Sequence, residues 1–201
     1  MITDFGQIKS VDLREGWPNE AQDFTPWLEQ HISLLGDALG LELEVQEREA
    51  PVGGFSLDLL ARDLGRNKTV VIENQLTATD HVHLGQVLTY GAGFDAGAVI
   101  WLARTFRDEH RQAIDWLNQH TGEGVEFFGV EIQLLRIDES KLAPNFKLVA
   151  TPNQWTKEKR QGVVGGTSEK QEKYRSFFQG LIDELREQHG FTGARKAQPQ
   201  S

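Results

Sequence analysis

Val70-Val71-Ile72-Glu73-Asn74-Gln75 is an apolar run that ends in a carboxylate, with an amide two residues beyond it. Thr69 to Gln75 reads as a strand, because its β-branched residues follow the turn-forming stretch Leu64-Gly65-Arg66-Asn67. Before that turn, Phe55 to Arg62 reads as the partner strand, and it carries Asp58. Centring the hairpin on Gly65-Arg66 sets Leu64 against Asn67 and Arg62 against Thr69, so Asp58 falls opposite Glu73. Directly opposed side chains have Cβ atoms about 4.5–5.5 Å apart. Gln75 lies two residues past Glu73 and shares its face.

Like charges opposed in a ladder destabilise it. A divalent cation between them removes that cost. Mg²⁺ is commonly held by one or two carboxylates, with waters and substrate phosphate oxygens completing an octahedron. It also acidifies a bound water and stabilises charge developing on a phosphate. The alternative is a structural ion pair, with Arg48, Arg62 or Lys68 neutralising the two acids.

Working outward, Leu41 to Gln46 alternates strictly and reads as a strand ahead of the turn Ala50-Pro51-Val52-Gly53-Gly54. Thr25-Pro26 reads as a helix start, with Thr25 as N-cap. Leu28, Ile32, Leu35 and Leu39 continue that helix to Gly40. After the hairpin, Thr79 or Asp80 caps a helix running to about Ala92. Its residues Thr79, His83, Gln86 and Tyr90 form one polar stripe, which suits either the wall of a site or a solvated face. Gly97 to Ala103 is a buried strand, Arg107 to His120 a helix, Val125 to Ile137 a strand, and Phe146 to Ala150 a further strand. The core order is helix, three strands, helix, strand.

Other chemistries find little support. His81 and His83 with Asp80 invite a zinc reading, but residues i and i+2 of a helix point to different sides and no third histidine is near in sequence. Ser56 lacks a nucleophile-elbow context. Gly91, Gly93 and Gly97 lack the spacing of a phosphate loop.

The chain has 201 residues, no cysteine and a formal charge of −9. The length suits one medium domain with an appendage. Without cysteine, neither disulfides nor thiolate metal sites can form, which fits a reducing cytoplasm. The sequence has no run of about 18 apolar residues, so a soluble protein without a membrane partner is expected. Residues 1–153 hold 24 acidic and 12 basic side chains, a net of −12, whereas residues 154–201 carry +3. So acidic a body argues against strong generic attraction to nucleic acid. Lys157 to Ser168 suits a linker, Tyr174 to His189 an amphipathic helix, and the residues from Thr192 a frayed tail.

Asp58 followed by Glu73-Asn74-Gln75 on the next strand resembles the PD-(D/E)xK nuclease superfamily. Gln86-Val-Leu-Thr-Tyr90 resembles the Q-x3-Y motif of its RecB-like branch. More narrowly, Asp23-Phe-Thr-Pro-Trp27-Leu, Ile72-Glu-Asn-Gln75 and Thr79-Asp-His-Val-His-Leu-Gly-Gln86 resemble the N-terminal domain of bacterial proteins that carry a DUF4268 region. The resemblance spans Trp17 to Trp155, and the stretch from Tyr174 is similar to the start of the second region. It implies an α/β, restriction-endonuclease-like αβββαβ core over residues 1–155, with a central mixed sheet flanked by helices. Residues 156–201 would be the linker and C-terminal helix.

The resemblance also implies a function, magnesium-dependent hydrolysis of DNA, with Mn²⁺ as a substitute. Asp58 and Glu73 would bind the metal, with the Asn74 carbonyl as a further ligand, and Gln75 would orient the attacking water. Gln86 and Tyr90 would support the site or touch DNA phosphate, with His83 of the same stripe beside them. An acid on the first helix would help, Glu29 by its distance from the first strand, or else Glu20. Two positions depart from the pattern: Leu57 stands where it has Pro, and Gln75 where it has Lys. Gln can hydrogen-bond water but brings no charge. The rival expectation is therefore a catalytically silent module for DNA binding or protein assembly. An acidic enzyme would borrow DNA affinity from another domain or from a homodimer partner.

Overall fold

Asp63 opens the hairpin turn by accepting the Gly65 N–H (3.0 Å), and Asn67 closes it at φ 56°. The turn thereby sets Arg62 against Thr69, the expected register, for strands β3 (Phe55–Asp63) and β4 (Lys68–Ala78). The computed structural model describes residues 5–122 and 124–152. The linker, amphipathic helix and tail read after residue 156 lie outside the described residues.

Ahead of this hairpin come β1 (Ile8–Val11), α1 (Leu13–Gly16), a π-helical turn (Glu20–Phe24), α2 (Thr25–Gln30), α3 (Ile32–Leu39) and β2 (Leu43–Val52). After it come α4 (His81–Gly93), β5 (Ala98–Thr105), α5 (Asp108–His120), β6 (Glu126–Ile137) and β7 (Ala143–Ala150). The strands form one mixed sheet in the order β1-β6-β5-β4-β3-β2, with β7 also paired to β6. Helices α4 and α5 act as crossovers, so β4, β5 and β6 run parallel, while the other pairs are antiparallel. The result is an α/β fold with helices flanking a curled mixed sheet. Its αβββαβ order is that of a nuclease-like core.

Residues Ala98 to Ala103 are all buried, which is what a central parallel strand covered on both faces requires. One core joins Leu57, Val71, Val87, Tyr90, Val99, Trp101, Phe106 and Ile114 beneath α4 and α5. Phe24, Leu28, Leu35 and Leu39 of the N-terminal helices are fully buried as well.

Three readings change. Thr25 is not an N-cap: the π-helical turn runs directly into α2, and the Thr25 hydroxyl donates back to the Glu20 carbonyl (3.2 Å). The first helix is not continuous. It breaks at His31, whose backbone sits at φ −120° and whose Nδ1 bonds the Trp27 carbonyl (2.8 Å). Ala50 to Val52 belong to β2 rather than to a turn, leaving Gly53-Gly54 as the turn itself. Gly40 ends α3 in the left-handed region at φ 67°, as expected.

Candidate functional site

The β3–β4 ladder runs from Asp63–Lys68 to Leu59–Ile72 and then stops. The next step in that register is Asp58 against Glu73. Here the side chain replaces the missing backbone: Asp58 Oδ2 accepts the Asn74 N–H at 2.7 Å. Two residues further along β4, the Glu20 carboxylate accepts the Leu76 N–H. N–H groups two residues apart point to the same side of a strand. Two carboxylates therefore cover the edge of β4 that β3 leaves bare, and a third, Glu73, lies on β4 one residue before the first of these anchor points.

Local capping brings Glu20 to this edge. Asn19 Oδ1 accepts the Gln22 N–H (3.0 Å), and Asp23 Oδ2 accepts the Asn19 N–H (2.7 Å), a reciprocal cap that opens the π-helical turn. Thr25 ties the turn to β4, because its hydroxyl accepts from Asn74 Nδ2 (3.1 Å) while donating to the Glu20 carbonyl. Glu29, the other candidate helix acid, forms an exposed ion pair with Arg48 (3.5 Å) instead. Glu20, not Glu29, is the acid whose charge is felt by both Asp58 and Glu73.

Glu73 is 4% exposed, and its Oε2 has no hydrogen-bond partner. Two full negative charges about 5 Å apart, at an effective dielectric near 20, repel by about 3 kcal/mol. That is a large share of a domain's total stability, so one group holds a proton when no cation is near. Burial, then the Asp58 charge, then Glu20 push the Glu73 carboxyl up to about 9, against a backbone N–H of Asp58 that pulls it back. Burial also pushes Asp58 up, to about 6, opposed first by the Asn74 N–H; Glu20 adds to the rise and His83 offsets it.

None of the three cations considered as neutralisers serves the pair. Arg48 goes to Glu29, Arg62 to the side-chain Oδ1 of Asn67, and Lys68 to Glu126 (3.8 Å). Among the described residues no three His, Cys, Asp or Glu side chains converge into a ready-made metal cage. The donor set is oxygen only, with one buried carboxylate oxygen unsatisfied. That fits a hard divalent cation completed by water rather than one enclosed by protein.

Gln75 shares Glu73's strand face but its amide is already engaged. Its two amide protons go to Asp80 Oδ2 (2.7 Å) and the Ala78 carbonyl (2.8 Å), with Thr77 Oγ1 at 3.2 Å, and its Oε1 accepts from Trp101 Nε1 (3.3 Å). Asp80 is the N-cap of α4, accepting the His83 N–H (2.9 Å) and contacting His83 Nδ1 (2.9 Å). Desolvation pushes the Asp80 carboxyl up, but the His83 N–H, the His83 ring and the Gln75 amide bring it down to about 2. Gln86 Nε2 donates to the Tyr90 hydroxyl (3.3 Å), and Gln86 Oε1 is buried without a partner. Tyr90 is buried, which raises its pKa; the Glu73 and Asp58 charges add to that rise, while Gln86 opposes it.

The two neighbouring histidines diverge as helical spacing dictates. His83 turns to Asp80, whereas His81 Nδ1 meets Nε2 of buried His110 (2.7 Å), whose Nδ1 contacts Thr79 Oγ1 (2.8 Å). Burial and the neighbouring His81 lower the pKa of His110. Thr79 thus leaves the polar stripe of α4 and joins α5.

The sequence reading passed over Thr25 as a site residue and named Asp80 as a cap and in a weak zinc reading, not as the partner of Gln75. The available signal was the pairing of Asn19 with Gln22 and Asp23, which announces a turn carrying Glu20.

No protein-family model matches the chain, and no curated protein does. Among solved structures, the chain is similar to a repair endonuclease from Pyrococcus abyssi, with 17% identity over 56% of this chain and 47% of that one, at a TM-score of 0.42. It is also similar to a chain of an EndoMS–dsDNA2 complex, with 19% identity over 52% of this chain and 44% of that one, at a TM-score of 0.35. The match spans less than half the length of either solved chain.

Proposed function

We propose that this chain is a magnesium-dependent nuclease that hydrolyses phosphodiester bonds in DNA. The observation that carries the reading is the buried Asp58–Glu73 pair, with Glu73 Oε2 unsatisfied and the nearby cationic side chains engaged elsewhere. Asp58, Glu73 and the Asn74 carbonyl would hold Mg²⁺, or Mn²⁺ in its place, and Glu20 would serve as the helix acid. The bound cation would acidify a water and offset charge on the phosphate. Glu73 would hold that ion as its ionised carboxylate. Gln86 and Tyr90 would support the site from α4 or touch DNA phosphate. The test is cleavage of duplex, single-stranded and branched DNA by the full chain with Mg²⁺ or Mn²⁺. Cleavage that disappears in folded Asp58→Ala and Glu73→Ala variants supports the reading; a wild type that cuts none of these substrates sinks it.

A second reading has its own support. Gln75 is neutral and its amide is fully engaged, so that position supplies neither charge nor a free donor to the site. On that ground, and given the acidic body, a silent module for DNA binding or protein assembly, with a homodimer partner, remains the rival. Calorimetry separates the two: saturable Mg²⁺ binding by wild type, lost in Asp58→Asn, favours the enzyme.

A further inference from the structure

Hydrolysis of a phosphodiester needs a group to take the proton of the attacking water. Asp58 is committed to the Asn74 N–H, Glu20 to the Leu76 N–H, and Gln75 has no basic nitrogen. Of the histidines, His83 is the one whose ring, when it carries a charge, bears on the Asp58 carboxyl.

The hydrogen bonds around His83 define its tautomer. Asp80 is an acceptor on both oxygens: Oδ1 takes the His83 N–H, and Oδ2 takes a Gln75 amide proton. His83 Nδ1 lies 2.9 and 3.0 Å from the same two oxygens, so it must carry a proton. In the neutral ring Nε2 is then the lone-pair nitrogen, and it has no hydrogen-bond partner among the described residues. The His83 side chain is 24% exposed, so water and substrate can reach it. Behind it runs one chain of hydrogen bonds: Trp101 Nε1 donates to Gln75 Oε1, Gln75 Nε2 donates to Asp80, and Asp80 accepts from His83 Nδ1. Each member fixes the next, and the far end is anchored in the fully buried Trp101.

We infer that His83 is the proton acceptor of the hydrolysis, that Asp80 orients it, and that Gln75 is a positioning residue that holds Asp80. The inference rests on the nuclease reading. The water oxygen forms the new bond to phosphorus while its proton passes to His83 Nε2. The bond from phosphorus to the leaving sugar oxygen breaks with its electron pair, and that oxygen takes a proton from solvent. His83 then returns its proton to solvent, so one water is consumed. Gln75 therefore acts two residues away from the chemistry, through Asp80, rather than by touching the water.

Two measurements on the full chain test this independently. The first is the ¹⁵N spectrum of the histidine rings, with His83 assigned by its absence in His83→Gln. The neutral His83 ring should be protonated at Nδ1, and Asp80→Asn and Gln75→Ala should each shift that tautomer balance. A wild-type ring protonated at Nε2 overturns the inference whether or not the protein cuts DNA. The second is cleavage by His83→Ala, expected to fall by about 10²–10⁴-fold, with Mg²⁺ affinity unchanged and partial recovery on adding imidazole. Wild-type rates in His83→Ala, or a loss that imidazole does not restore, overturn the proton-acceptor role while leaving the nuclease reading intact. A wild type that cuts nothing removes the nuclease reading itself, and the proton-acceptor role with it.

Discussion

The Asp58 carboxylate accepts the backbone N–H of Asn74 at 2.7 Å, at the point where β3 stops pairing with β4. The same group thus closes a sheet edge and stands opposite Glu73. Asn at this position keeps an oxygen that can accept the Asn74 N–H but loses the negative charge. A hydrogen bond to a charged group contributes about 1.5–3 kcal/mol and a neutral one about 0.5–1.5 kcal/mol, and with Glu73 protonated there is little repulsion to relieve. Asp58→Asn should therefore abolish metal-dependent cleavage while moving the urea midpoint by no more than about 1 kcal/mol equivalent. A variant that is inactive because it is unfolded would contradict this.

Glu73 gives stability a particular pH dependence. Its carboxyl is raised in the folded state to about 9, from 4.5 for the free group. The unfolded chain therefore loses its proton first as pH rises. Any stability linked to the neutral carboxyl is fully present below about pH 4.5 and is lost as pH climbs towards about 9. Without divalent cations, Glu73→Gln should raise the thermal midpoint at pH 8 by about 4–8 °C, equivalent to on the order of 2 kcal/mol, and the gain should vanish near pH 4. Melting curves across that range check the sign.

Cation binding should release a proton for the same reason. Near pH 7 the protonated Glu73 must ionise to become a ligand. Calorimetry in two buffers of different ionisation enthalpy should report about one proton released per Mg²⁺, with affinity rising about tenfold per pH unit between 6 and 8. Binding that is indifferent to buffer would place the ion elsewhere.

Thr25 is a small residue with a large structural share. Its buried hydroxyl joins Asn74 to the Glu20 carbonyl, and Asn74 Oδ1 is already without a partner. Thr25→Val keeps the shape but leaves the Asn74 amide unsatisfied. A loss of about 1–3 kcal/mol is expected in urea denaturation, together with weaker metal binding as Glu20 is released.

Much of this was readable in residue order, for physical reasons that differ from element to element. The hairpin register follows from a turn whose own side chains, Asp63 and Asn67, set its geometry, so counting outward from Gly65-Arg66 works. The buried strand at Ala98 to Ala103 announces itself by continuous apolarity. The π-helical turn at Glu20–Phe24 does not, because five residues with an irregular pitch carry no 3.6-residue period. The His31 break is equally silent, since it depends on one ring reaching the Trp27 carbonyl. The choice between Glu29 and Glu20 stayed open, and the Asp80–Gln75 contact went unseen, because their partners are distant in sequence or are reached only after the bulge between Gln75 and Ala78.

The hairpin also sets an order of events. A four-residue turn lets β3 and β4 meet early and locally, so Asp58 and Glu73 first come together in open water, where their repulsion is weak. Only when the Glu20 turn and α4 dock does that water leave. The electrostatic penalty then falls late on the folding route, on the native side of the barrier. The expectation is that alkaline conditions quicken unfolding more than they slow folding, and that a bound cation acts as a kinetic latch. Chevron plots at pH 5 and pH 8 would show the change in the unfolding arm, and a change confined to the folding arm would refute it.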